Sequence, residues 1–274
     1  MNQGNEAQNM QRVQFHWPEY LMEAAGLATF MFSACAFGVL LEHPASPVKL
    51  AVENAALRRV WMGLAMGLTA LGIFYSPWGK RSGAHINPSV TLTFFLLGKI
   101  RGFDAAFYVI GQFLGGIAGV GLAFLLIGPP LANAAIQFVV TVPGPSGEIP
   151  AFCAEFLISF LMMITVLLAS NSKLTSRYVP LFAGFLVAAF IALESPVSGM
   201  SMNPARTFGS AVFANDWHAI WIYFTAPLLG MTFAGQLYRF RKGVERVFCA
   251  KLHHHRHTGP CIFHCNYGEL HGHR

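Results

Sequence analysis

The chain has 274 residues, of which 54% are hydrophobic and 11% charged, with a mean hydropathy of +0.50. A soluble domain carries about 25% charged residues, and this much apolar surface in water would form large adhesive patches, so the composition excludes an ordinary soluble globule. The charge is also uneven: Arg239 to Arg274 hold nine of the Asp, Glu, Lys and Arg residues, and the other 238 positions hold only 21.

A polar, Asn- and Gln-rich leader over 1–16 opens the chain. The apolar run that follows is too long for the core of a cleavable signal peptide and is read as a first span. A spanning helix needs about 20 mostly apolar residues. Tyr20–Leu41, Val60–Tyr75, Ala105–Ile127, Phe152–Ala169, Val179–Leu193 and Ala219–Tyr238 make six, the second and fifth short but with flanks that can lengthen them. Pro44, Pro47 and the charges around Glu53 mark an elaborate loop after the first span, with no assignable chemistry.

Lysine and arginine fix the expected orientation. Counted across alternate sides of six spans, 14 of 18 fall on one side, leaving Lys49, Arg58, Arg59 and Arg206 on the other, so both termini are expected in the cytoplasm. Positive charge spread over membrane-flanking loops also explains the pI of 9.2 without nucleic acid. The five cysteines are not a disulfide framework: Cys35 and Cys153 fall in spans and Cys249, Cys261 and Cys265 in the tail.

An internal repeat organises the chain. Ser82-Gly83-Ala84-His85-Ile86-Asn87-Pro88 returns as Ser198-Gly199-Met200-Ser201-Met202-Asn203-Pro204, an offset of 116. Each copy leads into an apolar stretch long enough only to reach halfway through a bilayer, Val90–Leu97 and Thr207–Phe213. The first span of each half carries a glutamate, Glu23 and Glu155. A carboxylate there needs a partner, and each is expected to hold loop backbone beside its half-helix. Three spans per half make the repeat inverted, with its interrupted segments pointing at one another near the midplane. Asn is a strong N-cap and Pro suits the first helical turn, so two positive dipole ends would converge on one spot. That spot repels cations and offers the amide donors of Asn87 and Asn203 to an uncharged hydrogen-bonding molecule.

These motifs, with Glu23, Glu155, Gln112 and Asn203-Pro204-Ala205-Arg206, resemble the paired signatures of the aquaporin and glycerol-facilitator (major intrinsic protein) family, in a prokaryotic-looking form, over about Trp17 to Arg241. The resemblance implies an all-α membrane protein of six transmembrane helices plus two re-entrant half-helices, with repeat halves of about 17–127 and 149–241. It also implies a pore in each subunit of a homotetramer in a plasma or inner membrane, passive transport rather than catalysis, no required cofactor and no nucleic-acid partner. The motif residues are Asn87, Pro88, Ser89, Asn203, Pro204 and Ala205, with Glu23, Glu155 and His85 as pore support. Ser89 stands where the family has alanine, and its hydroxyl is expected to bond to local backbone.

The family's narrowest point maps onto Arg206, Met200, Ile191 and either Met66 or Gly67, with residue types favouring Met66. Water-restricted members place an aromatic and a histidine beside the arginine; this apolar, adaptable ring has neither. Thr207, Ala211, Tyr223 and Phe224 nonetheless match water channels rather than glycerol facilitators. Water is therefore the leading solute, with glycerol or hydrogen peroxide sharing the pore. The alternatives are a small-solute facilitator with little water selectivity and a structural membrane protein with a closed pore. An ion channel is disfavoured because no acidic ring is present.

The tail, 242–274, is expected to be cytoplasmic and holds seven of the 11 histidines and three cysteines. Cys249, His253 or His254, Cys261 and Cys265 are candidate ligands for zinc. A disordered basic tail and a contact with lipid or a partner are the competing expectations.

Overall fold

The computed structural model describes residues 14–254 and 261–270; most of the leader, 1–13, lies outside them. In chain order its helices are α1 (Trp17–Glu42), α2 (Pro47–Ala51), α3 (Ala55–Tyr75), α4 (Pro77–Ser82), α5 (Pro88–Leu96), α6 (Gly102–Ile127), α7 (Glu148–Ser170), α8 (Val179–Ser198), α9 (Pro204–Ala214), α10 (Ile220–Lys242) and α11 (Tyr267–Leu270). Six of them, α1, α3, α6, α7, α8 and α10, are long and apolar enough to span a membrane. The two short predicted spans gain their length from their flanks. Asn54 caps α3 by accepting from Ala56 N and Leu57 N at 2.9 and 3.1 Å, and α8 runs on past Leu193 to Ser198.

Two helices are short for a reason. At 1.5 Å per residue, α5 and α9 extend about 13 and 16 Å, half of a roughly 30 Å hydrocarbon core. Each begins at an Asn-Pro pair whose proline occupies the first helical turn, where no backbone N–H is required.

The halves pack as inverted copies. α1 lies on α6 as α7 lies on α10; α3 meets α8 across the repeat; α9 sits against α6 as α5 sits against α10. The crossing geometry repeats in detail. A Cβ on Gly115 would come within 2.2 Å of the Ala24 carbonyl oxygen, and one on Gly230 within 2.3 Å of that of Phe156. Glycine allows this backbone approach, and close packing is what associates helices in a bilayer.

The start of α1, the end of α4 and the start of α6 share one end of the bundle. Asp104 there accepts from Tyr20 Oη at 2.6 Å and pairs with His16 Nδ1 at 2.7 Å, while Arg81 pairs with Glu19 at 2.8 Å. The tail folds onto this same end. Phe248 N donates to Asn171 Oδ1 at 2.8 Å and His264 N to Lys99 O at 3.0 Å. Val247 through Leu252 are buried. The expectation of a disordered tail therefore fails for its described residues. Val247, Phe248, Leu252 and Phe263 supply an apolar face that outweighs the charge and histidine content.

Candidate functional site

Two loops, 82–88 and 198–204, enter the bundle from opposite ends, each held by the glutamate of its own half. Glu23 accepts from Ser82 Oγ (2.7 Å), His85 N (3.1 Å), Ile86 N (2.5 Å) and Gln112 Nε2 (2.9 Å). Glu155 accepts from Ser198 Oγ (2.7 Å), Ser201 N (2.6 Å) and Met202 N (2.7 Å). Both carboxylates are fully buried, and these donors are what makes burial tolerable. Their grip is needed because Ala84, Ile86, Met200 and Met202 lie at φ of 52°, 41°, 53° and 54°, a left-handed region costing roughly 1–2 kcal/mol per non-glycine residue. Tyr108 Oη and Tyr223 Oη complete the match, donating to Ser82 O at 2.7 Å and Ser198 O at 2.6 Å.

The loops are locked to each other by their asparagines. Asn87 Nδ2 donates to Met202 O at 2.7 Å, and Asn203 Nδ2 donates to Ile86 O at 2.8 Å. The amide oxygens cap the half-helices: Asn87 Oδ1 accepts from Ser89 N at 2.8 Å, and Asn203 Oδ1 from Ala205 N and Arg206 N at 3.1 and 3.3 Å. A carboxamide nitrogen has two hydrogens, so each asparagine keeps one for a passing molecule. Pro88 and Pro204 are buried behind them. The Ser89 hydroxyl departs from expectation. It is buried with no hydrogen-bond partner among the described residues; the neighbouring Thr93 Oγ1 does bond locally, donating to Ser89 O at 2.7 Å.

A cavity of about 260 Å³ runs past both asparagines and is lined by Met66, Ile191, Met200 and Arg206 together. Gly67 is excluded from it sterically: its Cβ position faces the Gly184 carbonyl oxygen at 2.7 Å, in the α3–α8 contact. Arg206 is aimed by Nη1 donating to Val139 O at 2.8 Å. Val139 belongs to a turn, Gln137–Val139, with three consecutive residues at φ of 43°, 53° and 53°. Glu42 and Arg59 line the mouth beyond the arginine, and His85 and Leu252 line the other. Among the described residues that line the cavity, Glu42 is the one acid.

His85 is engaged from outside the loop. Nδ1 meets Thr91 Oγ1 at 3.1 Å and Nε2 meets the tail's Ala250 O at 2.9 Å. Its ring stacks on Phe94 and on the tail's Phe263, at 5.3 and 5.4 Å. Sequence reasoning missed Val139, Leu252 and Phe263. The apolar pattern of the tail carried a signal for the last two; nothing local marks Val139.

The tail brings four candidate metal ligands together. The ligand atoms of Cys249, His254, Cys261 and Cys265 lie within 4.8 Å of one another. Cys249 and Cys261 are 3.6 Å apart, and Cys265 Sγ is 3.2 Å from His254 Nε2. His253 is not in this group; its ring stands edge-on to Tyr75 at 5.1 Å. Burial pushes the Cys249 thiol up, and hydrogen bonds from Cys249 and Cys261 hold Cys265 well below the ordinary thiol range.

Two capped half-helices meeting head to head inside an inverted six-span repeat, around a lumen with an arginine in its wall, define a membrane channel. The chain matches the family model of the major intrinsic protein over residues 9–238. It is 33% identical to Aquaporin-4 of Mus musculus over 83% of this chain and 67% of that protein, and 33% identical to Aquaporin-8 of Mus musculus over 83% of each. It is also 28% identical to Aquaporin Z of Rhodopseudomonas palustris, over 81% of this chain and 92% of that one. A solved structure of similar fold is the aquaglyceroporin from Plasmodium falciparum, with a TM-score of 0.67 and 21% identity over 84% of this chain and 98% of that one. The chain belongs to the major intrinsic protein family. It is a multi-pass integral membrane protein and a passive channel of the water and small-solute class.

Proposed function

We propose that the pore conducts water, with small neutral solutes such as glycerol or hydrogen peroxide passing the same constriction, and that it excludes protons and cations. The observation that carries this reading is the reciprocal asparagine lock. It fixes two helix N-termini against the lumen and leaves one amide donor of each asparagine free. The Arg206 guanidinium adds fixed positive charge beside them. A neutral oxygen finds donors there, while a cation meets three positive ends, the cavity's one acid among the described residues, Glu42, standing at the mouth beyond Arg206. The walls between are chiefly Met, Ile and Val, which supply little competing affinity. Met66, Ile191 and Met200 form an apolar ring with Arg206; thioethers adapt to shape, which suits a pore that admits solutes larger than water.

The bundle end that carries the start of α1 and the tail holds most of the lysine and arginine, which supports placing both termini in the cytoplasm. A groove between α1 and α3 presents Thr29, Ser33 and Thr69 beside small residues and the rings of Phe32, Phe37 and Trp78, with Ser33 Oγ and Thr69 Oγ1 at 2.8 Å. Small and hydroxyl-bearing faces associate in bilayers, which supports association between copies of the chain; the number four rests on the family resemblance.

The test is osmotic shrinkage of proteoliposomes containing chelator-treated protein. Shrinkage is expected to run several-fold faster than in empty vesicles, with no dissipation of an imposed pH gradient. No acceleration in water or glycerol gradients overturns the reading.

A further inference from the structure

The tail does more than rest on the bundle. Leu252 N donates to Gly83 O at 3.1 Å, Ala250 O meets His85 Nε2 at 2.9 Å, and the Leu252 side chain is part of the pore wall. Phe263 covers the same loop, with two ring carbons 3.0 and 3.2 Å from the position a Gly83 Cβ would take. The segment that lines this mouth is therefore flanked on both sides in sequence by Cys249, His254, Cys261 and Cys265.

We propose that Cys249, His254, Cys261 and Cys265 bind one Zn²⁺ ion, and that this ion staples the segment Cys249–Leu252 into the pore mouth so that the metal-bound channel is closed. The closure half of the proposal rests on the reading of the chain as a channel; the metal site does not.

Four observations support the ion. Three thiols and an imidazole are the donor set that tetrahedral zinc prefers, and with four protein ligands no position stays open, as in structural rather than catalytic sites. Zinc–sulfur bonds of about 2.3 Å and zinc–nitrogen bonds of about 2.0 Å put tetrahedral ligand atoms roughly 3.5–3.8 Å apart, close to the 3.6 Å and 3.2 Å separations here. The Cys249 and Cys261 sulfurs are also much farther apart than the roughly 2.05 Å of a disulfide. The His254 ring is pinned face to face on Tyr267 at 4.1 Å, and Tyr267 Oη is tied to Ser176 Oγ at 3.1 Å.

The fourth is a buried cation beside the cluster. Lys251 is 2% exposed, its Nζ has no hydrogen-bond partner among the described residues, and it lines a small cleft together with Cys249 and His254. An isolated ammonium in such a place is strongly disfavoured. One Zn²⁺ with three thiolates and a neutral imidazole carries a net charge of −1, the counter-charge Lys251 lacks. Binding releases to solvent the protons still held by the thiols, and no oxidation is involved.

The experiment uses the full-length chain, purified with reductant, and a Cys261→Ser, Cys265→Ser double variant. Zinc per chain is measured by elemental analysis, cobalt substitution by the visible spectrum, and osmotic permeability by proteoliposome shrinkage with and without chelator. Wild type is expected to bind one zinc, to give the thiolate charge-transfer and tetrahedral d–d bands with cobalt, and to gain permeability several-fold on chelation. The double variant, checked for an intact bundle by circular dichroism, should bind no zinc and be as permeable as chelated wild type in either condition. A wild type that binds no metal once reduced overturns the site, including the case in which Cys249 and Cys261 prove to be a disulfide. One zinc bound, with permeability equal before and after chelation in vesicles that conduct, overturns the closure. If neither protein conducts under any condition, the channel reading fails, and stoichiometry with the cobalt spectrum still decides the metal site.

Discussion

The two ends of the pore are covered by unrelated stretches of chain that perform matching tasks. At one end the connection between α6 and α7 folds inward: Gly144 N donates to Val197 O at 2.8 Å, and Thr141 and Val142 lie 3.3 Å from the Cβ position of Gly199. At the other end the tail does the same to Gly83, through Leu252 and Phe263. The hydrogen-bonded pairs beneath correspond as well: Ser201 with Thr207 at 2.6 Å, and His85 with Thr91 at 3.1 Å. The covers differ in how they are held. The α6–α7 connection is anchored at both ends by spanning helices, whereas within these 274 residues the tail joins a spanning helix only at α10. Ordering backbone costs about 1–2 kcal/mol per residue, so a cover joined at one side needs a cross-link where the other needs none. Metal binding at the proposed site would supply such a link, because its free energy becomes folding free energy.

Breaking the shared part of the comparison should have the largest effect. Glu23→Ala and Glu155→Ala each strand buried donors at about 1–3 kcal/mol apiece. Both should lower stability by at least ~3 kcal/mol, with Glu23→Ala worse because it also releases Gln112. Thermal unfolding in detergent measures this, and equal stability to wild type would mean that the loops hold themselves. Next come Gly115→Ala and Gly230→Ala. Both force a methyl into a carbonyl at an equivalent crossing, and overpacking of this kind typically costs about 1–3 kcal/mol; a matched pair of melting shifts is expected, and one tolerated substitution would break the symmetry argument.

Smaller effects separate the two mouths. Phe263→Ala removes the stack on His85 and should raise the permeability of the zinc-bound protein while leaving the chelated protein unchanged, in vesicle shrinkage. Met200→Phe narrows the ring beside Arg206 and is expected to reduce glycerol flux more than water flux. Equal reductions would place the constriction elsewhere.

Much of this was legible in the residues. Spans, half-helices, glutamates and the duplicated Asn-Pro follow from periodicity and spacing, since the physics behind them is local or repeats. The alternatives Met66 and Gly67, and His253 and His254, stayed open because neighbours in sequence point to different sides of a fold that only tertiary packing decides. Gly67 is committed to Gly184, and His253 to Tyr75. The inward fold of residues 137–144 was illegible for a related reason: the strained turn at Val139 is stabilised by Arg206, 67 positions away.

The contrast between the covers is tested most directly by amide hydrogen exchange at two matched positions, Leu252 and Gly144, in the membrane-reconstituted protein with and without chelator. Both amides donate to carbonyls of the buried loops or their flanks. Chelation is predicted to release Leu252 to fast exchange and to leave Gly144 protected. Unchanged protection at Leu252, or equal loss at both, would contradict a cover held by metal.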